Sequence, residues 1–355
     1  MSNNKEDISI LFYCAKTLNP LIVDLSKAAK KILGRNDIED IHDLRVASRR
    51  IRSVLDSFSD HLPKKESKDW VKDIRAITKS YGKVRDIDVQ LNLINKIYSE
   101  TDDRKLRSGL RRIKLRLEQK RKSRQGKTEK RTKVLLESSA IVNLSEWVKT
   151  ILQHTEEAWA PSPALFQLGY KQIQSRLDEF LFYEVFIFDR QRVEELHQMR
   201  IAAKKLRYSL EVFSELYEQE TDFALKISKQ AQDYLGEIHD CDVWIEFLPA
   251  FMEKEFQRIK DFYGYAQPYY RIRPGIEYFI DDRKREREKL YKNFLRDWKN
   301  WKLKETWLNL RKVIFLTSLE IQSQPSQPEQ PSPTPEGTND TQQENISEDS
   351  ASPTS

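Results

Sequence analysis

Residues 41–59 read IHDLRVASRRIRSVLDSFS, and residues 196–214 read LHQMRIAAKKLRYSLEVFS. At an offset of 155 they align without a gap. His42, Arg45, Ala47, Arg52, Leu55, Phe58 and Ser59 meet His197, Arg200, Ala202, Arg207, Leu210, Phe213 and Ser214. A second pair of blocks follows in the same order. Tyr81–Leu91 (YGKVRDIDVQL) matches Leu235–Ile245 (LGEIHDCDVWI) at an offset of 154, with Arg85 replaced by His239. Two blocks in one order at nearly one spacing indicate a duplicated unit of about 155 residues. The join falls near Trp159–Pro163.

On a helix turning 100° per residue, Ile41, Leu44, Ser48, Ile51, Leu55 and Phe58 form one stripe. Leu196, Met199, Ala203, Leu206, Leu210 and Phe213 form its twin. These are core faces. The basic positions follow one residue later: His42, Arg45, Arg49 and Arg52, then His197, Arg200, Lys204 and Arg207. Each set is centred about 110° from its apolar stripe, on the flank where a neighbouring helix packs. Like charges crowded there lose hydration and repel one another, so something must offset the cost. Asp86, Asp88, Asp240 and Asp242 could do so as structural ion pairs. A polyanionic ligand could do so as a function. Arg is suited to the second role because its guanidinium grips phosphate oxygens in a bidentate fork. Lys72, Arg75, Lys226 and Lys229 also belong to the matched region, and Arg85 and His239 occupy equivalent places. Arg50 and Lys205 point about 120° from the stripe centre and rank second.

The rest of the chain agrees with an all-α body. Only 7 of the 13 prolines and 8 of the 9 glycines lie in residues 1–321. The pattern predicts four helices per unit, at about 17–33, 38–60, 67–98 and 103–153, then 164–182, 190–218, 221–257 and 275–320. Asn36-Asp37 and Asp189 are read as N-caps, Gly34 as a C-terminal stop, Pro63, Pro268 and Pro274 as loop markers, and Gly126 as a break in the charged helix. Residues 1–160 and 161–321 are the expected domains. The tail 322–355 holds six acids, six prolines and no Lys or Arg, and is expected to be disordered. Without it, 62 Lys and Arg face 50 acids, a surplus of twelve. A basic body with an acidic tail suits an anionic partner.

Cys14 and Cys241 stand far apart and outside any metal spacing, which excludes a disulfide framework or zinc ribbon. His61 and His154 lie outside the repeat and read as surface or boundary residues. No metal or other cofactor is expected, because the surrounding Arg and Lys repel a cation. Ile8–Val23 is interrupted by Lys16, Asn19 and Pro20, and reads as too short for a membrane span. The expected compartment is the cytoplasm.

The phrases His42-Asp43-Leu44-Arg45-Val46, His197-Gln198-Met199-Arg200-Ile201, Lys204-Lys205-Leu206-Arg207-Tyr208 and the Gly-x-x-(Arg/His)-Asp-x-Asp-Val blocks resemble the CHAD family, the conserved histidine α-helical domain. The resemblance covers roughly residues 1–320. It implies two four-helix bundles related by a pseudo-twofold axis, with a basic groove between them that binds inorganic polyphosphate. Polyphosphate granules are then a further expected association. Gln198 departs from the acid that often follows the histidine, and Glu237 stands opposite Lys83. Neither removes a basic stripe residue. No Walker loop, nucleophile elbow or Glu-x-Glu-x-Lys strand is present, so a binding module without catalysis is expected. Two alternatives stay open: a nucleic-acid binder, with Phe262, Tyr263, Tyr265, Tyr269 and Tyr270 as a stacking surface, and a phosphoryl-transfer enzyme acting on polyphosphate through the paired aspartates.

Overall fold

The computed structural model describes residues 7–35, 38–136, 138–155 and 159–323, and among them the regular elements are all helical. In chain order they are α1 (Ile8–Arg35), α2 (Ile38–Ser57), α3 (Lys64–Glu100), α4 (Arg104–Leu136), α5 (Ser139–Thr155), α6 (Pro163–Phe182), α7 (Val193–Phe213), α8 (Asp222–Tyr263), α9 (Gln267–Leu303) and α10 (Thr306–Ser323). Helices α1–α5 precede the join and α6–α10 follow it. Among the described residues each half therefore carries five α-helices rather than the expected four, because the last segment of each is broken. In the first half the break falls at Ser138, whose hydroxyl accepts from the Ile141 amide at 3.4 Å and starts α5. In the second it falls at Lys304-Glu305, where Glu305 takes a left-handed backbone (φ 50°).

Other local expectations are corrected. Asp189 does not cap α7, since its Oδ1 accepts from the Gln191 amide at 2.9 Å inside the preceding turn. Arg192 stands at the cap position and its side chain makes no capping bond to the α7 amides. Helix α1 continues past Gly34, α4 past Gly126, and α9 passes through Pro274. Asn36, Asp37 and the tail from residue 324 lie outside the described residues, and α10 takes in the first two residues of the expected tail. Helix α1 is, by length and composition, apolar enough to cross a membrane over Ile8–Ile32, against the sequence expectation. Its Ile10, Tyr13, Leu18, Leu25 and Ile32 are buried in the protein core.

All twelve residues of the two motif stripes are at most 2% exposed. All but Ser48 belong to one continuous hydrophobic core that crosses the join. Tyr13 links the halves: its hydroxyl donates to the Val212 carbonyl at 2.9 Å, and its ring stacks on Phe213. Phe58 packs against Phe213 at 5.6 Å, so the two motif helices meet at matching residues. The join is pinned to the start of α1. Trp159 Nε1 donates to the Ser9 carbonyl, and Ser162 both caps α6 and donates to Asp7.

A second core is built by both halves together. Ile94 of α3 and Leu110 and Ile113 of α4 meet Leu248 of α8 and Ile276 and Phe279 of α9. Two long hairpins thus form a four-helix layer beside the motif helices. Where α4 crosses α9 the backbones touch. A Cβ on Gly275 would lie 2.0 Å from the Leu106 carbonyl oxygen, and one on Gly109 2.3 Å from that of Ile272. No flexible side chain can yield there, so glycine is required. Replacing Gly275 with Leu is expected to lower unfolding stability by about 1–3 kcal/mol or more, the usual cost of overpacking. Urea denaturation checks this, and an unchanged midpoint would mean that the helices cross elsewhere.

Candidate functional site

The motif stripes fix which way the cations point. With Ile41, Leu44 and Ile51 in the core, Arg45 and Arg49 are turned along the flank of α2 toward α3 and α7. Arg45 lies against α3, where its Nη1 donates to the Thr78 carbonyl at 3.3 Å. It occupies the space above Gly82, since a Cβ there would stand 2.8 Å from Nη1. Arg200 lies over Gly236 in the same way, with 3.5 Å to its Nε. The glycine of the second block therefore makes room for the arginine of the first. Ser48, the polar member of the stripe, is satisfied by the Arg45 carbonyl and Thr78.

Helices α2, α3, α4, α7 and α8 enclose a cavity of about 730 Å³. Of the residues predicted from the sequence, His42, Arg45, Arg49, Arg85, Arg200, His239, Asp86 and Asp240 line it. Lys204 and Arg52 continue the cluster along the contact of α2 with α7. Burial pushes Lys204 down from 10.5 to about 8, and Arg200, Arg49, Arg45 and Arg52 push it the same way. Burial likewise lowers Arg45, Arg49 and Arg52. Arg75 on α3 adds to the positive charge felt by Arg52. Arg49 Nε and Arg85 Nη1 are buried without a hydrogen-bond partner among the described residues. Tyr208 offers partial relief, with its ring 5.2 Å from the Arg49 guanidinium and 5.5 Å from that of Arg207; such contacts favour the cation by about 0.5–2 kcal/mol.

The other predicted residues divide. Arg207 is held by Glu211 at 2.8 Å and Gln232 at 3.2 Å. Arg50 pairs with Glu211 at 3.5 Å and Lys205 with Glu179 at 2.5 Å, away from the cavity. Lys72, Lys226 and Lys229 are not among the cavity's lining residues. His61 is half-buried, and the side chain of His154 is outside the described residues.

The aspartates do not neutralise the motif arginines. Asp88 is fully buried and pairs with Arg121 of α4 at 2.5 Å. Asp242 pairs with Arg287 of α9. These are equivalent bonds, one per half, tying each hairpin together. Asp86 and Asp240 make no ion pair within 4.0 Å among the described residues. Asp86 favours the charged form of Arg45 from nearby. Burial raises Asp240, and Asp86 raises it further across the cavity against the pull of Arg200.

His197 and His239 face each other with Nδ1 atoms 3.1 Å apart. One ring must donate and the other accept, so the pair does not readily carry two charges. Burial, His197 and Arg200 hold His239 at about 4. The His239 ring is therefore neutral at neutral pH. Among the described residues no three His, Cys, Asp or Glu side chains group as metal ligands.

Sequence reasoning missed Lys83, Lys120 and Arg124, which line the cavity, and Tyr208 at the crossing. The Arg/Lys density of 102–133 was the available signal for two of them.

The CHAD domain model matches residues 17–249, about two thirds of the chain. The chain belongs to the CHAD domain family. Its fold is similar to the crystal structure of the CHAD domain from the plant Ricinus communis, at 21% identity and TM-score 0.54, covering 76% of this chain and 91% of that one. It is also similar to PptA from Streptomyces chartreusis, at 13% identity and TM-score 0.50, covering 81% and 98%. No curated protein matches the sequence. Breaking the buried bond of this CHAD chain by Asp88→Asn is expected to cost about 1–3 kcal/mol, because a charge-assisted bond made by a fully buried carboxylate is lost. Equilibrium unfolding reads this out, and a loss below about 1 kcal/mol would show a solvated pair.

Proposed function

We propose that this chain is a non-catalytic binder of inorganic polyphosphate. The observation that carries the reading is the crossing of α2 and α7. Arg45, Arg49, Arg52, Arg200 and Lys204 gather there, part-buried, and none has an ion pair within 4.0 Å among the described residues. A flexible polyanion can reach all of them, satisfy the buried guanidinium donors and remove the mutual repulsion. Phosphate oxygens suit the arginine forks. The family expectation points the same way, and the cytoplasm and polyphosphate granules are where such a binder would act.

RNA is the competing ligand, with Phe262, Tyr263, Tyr265 and Tyr270 exposed as stacking rings; Tyr269 is buried. Phe262 and Tyr263 end α8, and Tyr265 and Tyr270 follow it; Tyr263 is twenty residues from Val243 in the cavity wall, or roughly 30 Å at helical rise. They cannot stack bases held in the cavity, which favours a ligand without bases. The enzyme alternative is weakened because Asp88 and Asp242 are engaged by arginines.

Replacing Arg45 and Arg200 together with Ala is expected to weaken polyphosphate binding at least tenfold while helicity by circular dichroism persists. The log–log salt dependence should flatten by about 0.7 for each phosphate no longer neutralised, the single-strand nucleic-acid value. Equal binding by variant and parent, or competition by RNA on equal terms, contradicts the reading.

The pH dependence follows from Lys204. A bound polyanion raises its pKa above the free value of about 8. Binding then takes up a proton, so affinity is full below pH 8 and falls as pH rises through 8 toward the bound-state value. The Lys204→Arg variant should lose this alkaline decline. His239, free at about 4, adds affinity only on the acid side. Titration at fixed ionic strength checks both, and a profile of the parent that is flat from pH 7 to 10 excludes Lys204 from the binding site.

A further inference from the structure

The two halves are not electrostatically equivalent. Around the cavity, Lys83 of α3 corresponds to Glu237 of α8. With α4 and α9 aligned on Gly109 and Gly275, Lys120 corresponds to Glu286 and Arg116 to Asp282. Three cationic positions on one side thus correspond to acids on the other, where Arg283 pairs with Asp282 and Lys289 lies 3.6 Å from Glu286. Burial raises Glu237, and Asp233, Glu286 and Asp240 raise it further, as expected where carboxylates crowd.

Beyond the cationic end lies a second cavity of about 380 Å³ between α4 and α8. Its lining includes Arg116, Lys120, Lys254 and Arg258 and no Asp or Glu, over an apolar floor that includes Phe247 and Phe251. Lys120 lines both cavities. Behind the second one, Glu255 is fully buried and gathers three guanidiniums. Arg116 bonds it through Nε at 2.8 Å, Arg112 lies at 3.6 Å, and Arg258 also contacts it. One carboxylate anchors three arginines, which leaves two positive charges in excess before Lys120 and Lys254 are added. A half-buried cluster with that surplus is stabilised by an anion.

Resting on the polyphosphate reading, we propose that the polyanion leaves the central cavity on one side only, past Lys120, and is held again by Arg116, Lys254 and Arg258 in the second cavity. On the opposite side Glu237, Asp282 and Glu286 stand in place of Lys83, Arg116 and Lys120, which removes those three phosphate contacts. Bound chains therefore run in one direction across the molecule. A short phosphate chain fills the central cavity alone, whereas a long one spans both.

Titrating the full chain with tripolyphosphate and with long-chain polyphosphate tests this, using the parent, Lys254→Gln and Lys254→Gln/Arg258→Gln. The double variant is expected to lose roughly fivefold to tenfold in long-chain affinity, with a salt slope shallower by about 0.7 for each phosphate it no longer neutralises. Its tripolyphosphate affinity should stay within about twofold of the parent. Lys254 is exposed and forms no ion pair within 4.0 Å among the described residues, so the single variant should keep the parent's melting temperature. It should show the same selective loss at smaller size, which decides the matter if the double variant melts early. Long-chain affinity unchanged in both variants, or equal losses for the two ligands, overturns the one-sided path while leaving the central site intact. A parent chain that binds neither ligand overturns both readings.

Discussion

Two amphipathic helices that share one sequence pattern pack with their basic flanks turned inward, and the rest of the molecule is arranged around that crossing. The apolar stripe of α2 and that of α7 must be buried, which fixes the rotation of each helix. That rotation carries Arg45, Arg49, Arg52, Arg200 and Lys204 into one part-buried cluster, where they depress one another's proton affinity. Native proteins do not usually hold so many like charges without carboxylate partners, because each loses hydration and gains repulsion. Here Asp88 and Asp242 of the second block tie the hairpins together by pairing with α4 and α9, while Asp86 and Asp240 line the cavity without an ion pair within 4.0 Å among the described residues. The neighbouring elements thus stabilise the frame and leave the crossing cationic.

The frame can carry that strain because its two cores lie on either side of it. One continuous core runs across the join through Tyr13, Phe58 and Phe213. The other locks the α3–α4 and α8–α9 hairpins against each other, with backbone contact at Gly109 and Gly275. The cavity sits between them, so its walls come from rigid helices rather than loops. Rigid placement of donors lowers the ordering cost of holding a flexible polyanion.

The parts legible in the sequence were those governed by helical period. The twelve stripe residues and the cations one step beyond them followed from 100° per residue, and so did the outward aim of Arg50 and Lys205. The second block gave Asp86 and Asp240 but not the partners of Asp88 and Asp242. Those partners belong to a third repeated block, in which Leu106–Leu110 and Arg121 correspond to Ile272–Ile276 and Arg287 at an offset of 166. Helix α8 is five residues longer than α3, 42 against 37, so a gapless comparison at 154 or 155 passes over this relation. The breaks after α4 and α9 carry no Gly or Pro, and a left-handed Glu305 gives no sequence signal. Tyr208 was missed because its counterpart is Ser53; only the crossing shows that its ring stands between two guanidiniums. The fall of His239 to about 4 was also hidden, since it depends on the facing ring of His197.

The central claim is that the crossing lowers the stability of the free protein for the sake of an anion. The direct measurement is the unfolding stability of Lys204→Met against the parent at low salt and pH 7, with and without polyphosphate. The account predicts a ligand-free variant at least as stable as the parent, because a repelled, part-buried charge has gone. It also predicts a smaller rise in stability on adding polyphosphate. A variant that is clearly less stable without ligand, yet gains as much from polyphosphate as the parent, would contradict it and make Lys204 a structural residue.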